Sequence, residues 1–296
     1  EQKTHTIHFD FSANKDALNW LDSPIVPLVS AGWYEKCNTF QFMASASGQD
    51  NISALIKGGI EGQHSFVNKR ELIDEYGWRS FGEVYADHET HYQQTGEVSN
   101  VSHYNNQYDA VYGFARQFVE SGDLRWFNLM DELANHVCDI DIYHTEADKV
   151  EYNGGLFWHT DHYLDAHTCT HRTFTRFNTT SSTPGQTGGG PGSEHCYTTG
   201  LMYHYYLTGN DFSREAVLKL ADWMINVHEG ANGLLAQVLS IKKVELRKLL
   251  QLCKGEYVNA YRYPFTRGTG NYIVALLDAF LLSDDNALLE KAETVI

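Results

Sequence analysis

A helical hairpin written three times is the strongest constraint on what this 296-residue chain can fold into. In the first copy Tyr108, Val111, Tyr112, Ala115, Phe118 and Val119 recur at i, i+3, i+4, the spacing that gathers apolar side chains on one stripe of an α-helix. The pattern breaks at Ser121-Gly122-Asp123 and resumes through Phe127, Met130, Ala134 and Val137. The second copy, GLMYHYYLTGNDFSREAVLKLADWMINV, turns at Thr208-Gly209-Asn210, and the third, NYIVALLDAFLLSDDNALLEKAETVI, turns at Ser283-Asp284-Asp285. Each has an aromatic residue or leucine before the turn and small polar residues within it. Repeated hairpins stack into an open solenoid or close into an α/α toroid. Six hairpins at roughly 15 residues per helix need on the order of 300 residues. Fewer remain after the N-terminal segment. The expected fold is therefore mainly α, an incomplete (α/α) toroid of about seven to nine helices.

The N-terminal segment reads differently. Thr4–Phe11 alternates, with Ile7, Phe9 and Phe11 on one side and Thr6, His8 and Asp10 on the other, which predicts a half-buried strand. Pro24 and Pro27 hold the next stretch extended, and AGWYEKC and then Ala44–Asn51 lead on without periodicity. The expected organisation is a short β remnant with a connector over residues 1–60, then the toroid domain over 61–296, cut short at its C-terminal end. A basic helix candidate, Gly233–Gly255, stands outside the repeat, as a solvated face or else a contact for an acidic partner.

Composition narrows the function classes. A formal charge of −16 repels nucleic acid and anionic lipid, so neither is an expected partner. No apolar run approaches the roughly 18 residues of a membrane helix. The opening EQKTHTIHFDF has no charged-then-apolar leader and reads as a mature or trimmed product. Five cysteines without a CxxC pair argue against a disulfide framework or zinc ribbon, and one bridge between Cys169 and Cys196 stays open. With 18 Tyr and 6 Trp, the chain favours either a rich aromatic core or surfaces that stack on sugar rings.

Chemistry-bearing residues fall into five clusters. The densest, Asn153–Arg172 (NGGLFWHTDHYLDAHTCTHR), places His159 and His162 three apart and His167 and His171 four apart. A glycine-rich hinge then leads to Glu194, His195 and Tyr197. The others are Trp78–Tyr92, His103–Asp109 and Tyr261–Asn271. Each precedes a helical pattern, so all five are expected to open to one end of the array. His159, Asp161, His162, His167 and His171 include the ligand types of zinc, but the glutamate of HExxH is missing; no metal and no cofactor is assigned.

HYNNQYD, GGLFWHTDHY, GGGPGSEHCYTTGL followed by its Tyr-Leu-Thr-Gly turn, and YPFTRGTGN resemble the α/α-toroid domain of polysaccharide-degrading enzymes, most nearly the exo-acting rhamnogalacturonan lyases. The resemblance covers roughly Glu75–Ile296. It implies a secreted or periplasmic carbohydrate-active enzyme, with the first strand as the end of a preceding β-sandwich, acting on a uronate-containing polysaccharide.

Elimination from a uronate asks for a base, a group that stabilises enolate-like charge, and an acid for the leaving oxygen. His162, His171 and His195 are the base candidates; Tyr104 and Tyr197 are the acid candidates. Arg172, Arg267, Asn105 and Asn106 suit the carboxylate, and Trp78, Trp158 and His103 complete the substrate-binding set. A uronic-acid glycoside hydrolase would instead need two carboxylates about 5 to 9 Å apart. Asp109, Asp161, Asp165 and Glu194 are the acids available for that role, and Glu194 is counted among the catalytic candidates. The third reading is a non-catalytic sugar-binding helical-repeat protein.

Overall fold

The computed structural model describes residues 2–12, 14, 16–21, 25–40, 51–86, 102–103, 106–148, 152–157, 191–229 and 265–296. These are mainly helical, with nine α-helices among them: α1 (Ala31–Cys37), α2 (Asn51–Ile60), α3 (Phe66–Ile73), α4 (Ala110–Ser121), α5 (Leu124–His136), α6 (Thr199–Thr208), α7 (Asp211–Glu229), α8 (Arg267–Ser283) and α9 (Asn286–Val295). No helix among the described residues is long and apolar enough to cross a membrane.

Three hairpins, α4–α5, α6–α7 and α8–α9, carry the architecture, and one local chemistry makes all three turns. The last hydroxyl of the first helix donates back to the carbonyl four residues earlier: Ser121 to Gln117 at 2.6 Å, Thr208 to His204 at 2.6 Å and Ser283 to Ala279 at 2.7 Å. The next residue, Gly122, Gly209 or Asp284, is left-handed and ends the helix. The third, Asp123, Asn210 or Asp285, donates its amide to that same hydroxyl oxygen at 3.1, 3.1 and 3.3 Å. Its side chain then caps the second helix, accepting from Arg125, Phe212 or Ala287 N–H at 2.9, 3.0 and 3.0 Å.

The hairpins lie side by side. Helix α4 packs on α6 and α6 on α8, while α5 and α7 lie behind them and α9 closes the last pair. Their facing stripes form one apolar core, with Val111, Ala115, Met130, Leu133, Leu201, Leu220, Met224 and Leu276 fully buried. Helix α1 and the residues after it dock on this body. Phe40 stacks on Tyr203 at 4.1 Å, and the Tyr203 hydroxyl donates to the Thr39 carbonyl at 2.6 Å. A fully buried phenylalanine contributes about 1.5–3 kcal/mol. Helix α3 is held by the Arg70–Glu132 ion pair at 2.8 Å.

The N-terminal reading needs correction. Thr4–Phe11 joins no sheet, and Ile7, Phe9 and Phe11 are 71, 74 and 95% exposed. Alternation makes a strand only when a partner supplies the ladder, and here the chain is held at one residue: the Asp139 side chain accepts from the Thr4 amide (3.0 Å) and hydroxyl (2.8 Å), and its carbonyl from Gln2 N–H (3.2 Å). Among the described residues the paired strands are β1 (Tyr85–Ala86) with β2 (Ser102–His103), antiparallel, beside the isolated bridges Ile142–Leu156 and Phe157–Pro191. The connector, expected without periodic structure, instead carries α1 and α2. The Gly233–Gly255 helix candidate lies outside the described residues.

Asp285→Ala removes the α9 cap and is expected to lower stability by about 1 kcal/mol in urea denaturation. Asp123→Ala removes the equivalent cap on α5 and also the Asp123–Arg125 ion pair, so its loss should be at least as large. A cap that changed nothing would mean the shared turn chemistry is incidental.

Candidate functional site

The loop entering α4 is built on unusual backbone. Asn106, Tyr108 and Asp109 all have positive φ (59, 63 and 60°), a region bulky residues seldom occupy and one concentrated at functional sites. The buried Asn106 amide holds the loop, its oxygen accepting from Val111 N–H (3.0 Å) and its nitrogen donating to Asp109 (3.3 Å). Asp109 serves two helices: one oxygen accepts from Tyr112 N–H in α4 (3.3 Å), the other from Gly200 N–H in α6 (2.9 Å). Burial pushes this carboxyl up to about 6, while the three hydrogen bonds act in the opposite sense.

Residue 200 must be glycine. A Cβ there would meet the Asp109 carboxylate, the Tyr112 amide and, at 2.8 Å, the Val111 side chain. A second tie joins α6 to α8: Asp278 accepts from the Thr198 (2.6 Å) and Thr199 (2.9 Å) hydroxyls. Burial also raises Asp278 to about 6, with Asp109 adding to the effect.

Between these ties the chain delivers Glu194, His195 and Tyr197 through the short 3-10 turn Ser193–His195. Helix α8 receives it closely. Asn271 donates to the Glu194 carbonyl at 2.8 Å, a Cβ on Gly268 would stand 3.3 Å from Glu194, and the Arg267 guanidinium lies 3.9 Å from the Glu194 carboxylate. The Tyr197 ring sits 6.3 Å from Tyr108 and 6.4 Å from His195. Burial, reinforced by Arg267, lowers His195 to about 4, so its imidazole is neutral at pH 7. Burial raises the Tyr197 phenol, and Arg267 works against that rise.

One neutral imidazole, one guanidinium, one phenol and one carboxylate are thus neighbours, with the imidazole Nδ1 and the phenol hydroxyl buried and the guanidinium and carboxylate at the surface. Glu194 and Arg267 keep 57 and 46% of their side-chain surface exposed, and Tyr108 is 64% exposed, so a ligand can reach all three. Arg267 can fork onto a carboxylate, and Tyr108 can stack on a ring.

The sequence expectation that separate clusters meet holds for His103–Asp109, Glu194–Tyr197 and Tyr261–Asn271, through their described residues. At the described beginning of the densest cluster, Phe157 bridges to Pro191 and Gly192 donates to the Leu156 carbonyl at 3.1 Å, which sets it against the segment just before Glu194; from Trp158 on, that cluster lies outside the described residues. Of the expected site residues, Glu194, His195, Tyr197 and Arg267 come together. Asn106 lies beside them, but its amide is spent on the α4 loop. Trp78 shares no described contact with the group; Arg79 lies over its ring at 5.4 Å. His103 is described only as backbone in β2. Tyr104, Asn105, Trp158, His162, His171 and Arg172 lie outside the described residues, as do the zinc candidates His159, Asp161 and His167. Cys196 is a buried thiol; Cys169, considered as its bridge partner, lies outside the described residues. Asp109, considered for carboxylate chemistry, is taken up by helix ends. Asp278, which nothing in the LLDAF pattern singles out, is buried against its two threonine partners.

No protein family, no curated protein and no solved structure matches this chain. The site's chemistry therefore rests on its own geometry.

Gly200→Ala is expected to cost about 1–3 kcal/mol by overpacking, read as a lower urea midpoint. Gly113→Ala is the control, since a Cβ there meets nothing within 4 Å; a helical Gly→Ala change gains up to about 1 kcal/mol. Equal behaviour of the two variants would contradict the tight α4–α6 approach.

Proposed function

We propose that this chain is a secreted or periplasmic carbohydrate-active enzyme on an (α/α) toroid scaffold, cleaving a uronate-containing polysaccharide by β-elimination. The observation that carries the reading is the neutral His195 held beside Arg267 and Tyr197. Arg267 binds the uronate carboxylate and stabilises the charge that develops on it as the adjacent C–H bond breaks. His195 takes that proton. The new double bond forms as the glycosidic C–O bond at the neighbouring carbon breaks, and Tyr197 protonates the departing oxygen. Tyr108 supports a sugar ring by stacking.

A pKa near 4 makes His195 a weak base in the free protein, and Arg267 contributes to that depression. A bound uronate brings a negative charge to the guanidinium and offsets its effect on the imidazole. Substrate therefore strengthens its own base. The sign follows: protonation removes the base, so kcat/KM should fall as pH drops through about 4, and the limb in kcat should lie at higher pH.

Incubation with pectic polysaccharides should release products with the ultraviolet band of an unsaturated uronate. His195→Gln should lower kcat by about 10²–10⁴-fold. Arg267→Lys should chiefly raise KM, through loss of the bidentate fork. A kcat/KM limb at the ordinary histidine value of 6.5 would contradict the assignment of His195.

The exposed Glu194 favours a second reading, a uronic-acid glycoside hydrolase. That chemistry needs a partner carboxylate, and Asp109 is engaged in helix ends. Reducing ends without the ultraviolet band would select it. Sugar binding without either product would mark a non-catalytic sugar-binding protein.

A further inference from the structure

Away from the His195 group, three side chains distant in sequence meet in the interior. Glu83, His136 and Asp141 have 0% side-chain exposure, and each offers a ligand atom within 4.8 Å of the other two. Two backbone features bring them together. After α5 ends at His136, Val137–Asp141 winds as a π-turn, with Ile142 N–H donating to the Val137 carbonyl at 3.2 Å. On an α-helix residues five apart diverge by roughly 140°; i→i+5 bonding sets them nearly one above the other, and such turns concentrate at functional sites. Asp141 thus comes beside His136. Gly82, at φ +95°, sits so close to the Glu132 carbonyl and the His136 Cβ (3.2 Å from an added Cβ) that no side chain fits, which seats Glu83 over the imidazole.

The hydrogen bonding of the ring defines what lies between them. His136 Nδ1 is 3.1 Å from the Phe81 carbonyl oxygen, and a carbonyl can only accept, so Nδ1 carries a proton. On the other side Nε2 lies 3.0 Å from Glu83 Oε2 and 3.2 Å from Asp141 Oδ1. The two carboxylates call for a cation at that nitrogen: a proton on Nε2, which they favour strongly enough to raise the imidazole to about 10 against its burial, or a metal ion in the proton's place. A proton on Nε2 can lie along one of these contacts or be shared unequally. A metal ion engages all three atoms at once; bonds of about 2.1 Å in tetrahedral geometry separate ligand atoms by about 3.4 Å, against 3.0 and 3.2 Å from Nε2 to the two oxygens. A ring that gives its other N–H to a backbone carbonyl is also the usual outer-shell arrangement of a metal-bound histidine.

We propose that Glu83, His136 and Asp141 form a binding site for one divalent transition-metal ion of the zinc type. One imidazole and two carboxylates are a donor set for Zn²⁺, with Mn²⁺ the competitor favoured by the oxygens. Enclosure of all three side chains makes the ion a structural cross-link. It joins the Gly82 loop to the C-terminal end of α5 and lies apart from the carbohydrate chemistry. The proposal does not depend on the lyase reading.

The test uses the full chain, stripped with a chelator and then titrated with Zn²⁺, and separately with Mn²⁺, by calorimetry and thermal unfolding. One equivalent of either ion should bind, and the melting temperature should rise by several degrees. The His136→Gln and Asp141→Asn variants should each lose both effects. X-ray absorption on the zinc-loaded wild-type protein, which needs no variant to fold, should show a shell of one imidazole with oxygen donors. A shell with two or more imidazoles would place the ion elsewhere and overturn the assignment. So would a wild-type protein that takes up neither ion at millimolar concentration; the three residues would then be an imidazolium ion-pair cluster.

Discussion

The Asp109 carboxylate, shared between the first turns of α4 and α6, fixes the relation on which the rest of the structure depends. The N-terminal amides of an α-helix have no partners inside it, and the helix dipole makes that end attractive to negative charge. One carboxylate meeting two such ends satisfies both, provided the helices approach closely. Gly200 permits that approach. The burial that follows costs Asp109 part of its preference for ionisation, which is why its pKa moves up to about 6 despite three donors. Asp278 repeats the device one helix further on, using the Thr198 and Thr199 hydroxyls.

This division of labour explains where chemistry is located. Turns at the C-terminal ends of α4, α6 and α8 are short, alike and capped by the residues that make them. They link helices and present no reactive groups. The loops entering these helices are longer, and they hold the left-handed Asn106, Tyr108 and Asp109 together with the Glu194–Tyr197 turn. Because Asp109 and Asp278 anchor the same loops, Tyr108, His195 and Arg267 are held by rigid helix starts. Positioning of this kind is what a site must have if its groups are to act on one ligand.

What was legible in the sequence follows the range of the interactions involved. The hairpins were readable because Ser/Thr, then Gly or Asp, then Asp or Asn is a complete local instruction: end one helix, reverse, cap the next. The Thr4–Phe11 alternation was equally clear, but a strand needs a neighbour that alternation cannot supply, and Asp139 took the segment instead. Convergence of Glu194, His195, Tyr197 and Arg267 could be anticipated, since each stands where a helix begins. Asp278 could not, because its hydroxyl partners lie some 80 residues away. The Glu83, His136 and Asp141 group was hidden for a different reason: the π-turn departs from the 3.6-residue period by which residues are assigned to a face.

The most direct test of the Asp109 tie is hydrogen exchange at a single amide. Gly200 is the second residue of α6, where an N–H has no acceptor within its own helix, so its protection must come from Asp109. Exchange of the Gly200 amide in the intact protein should be slowed by several orders of magnitude, comparably to core amides of α4, and should speed up in Asp109→Ala. Exchange at the rate of a freely solvated helix end would contradict the account.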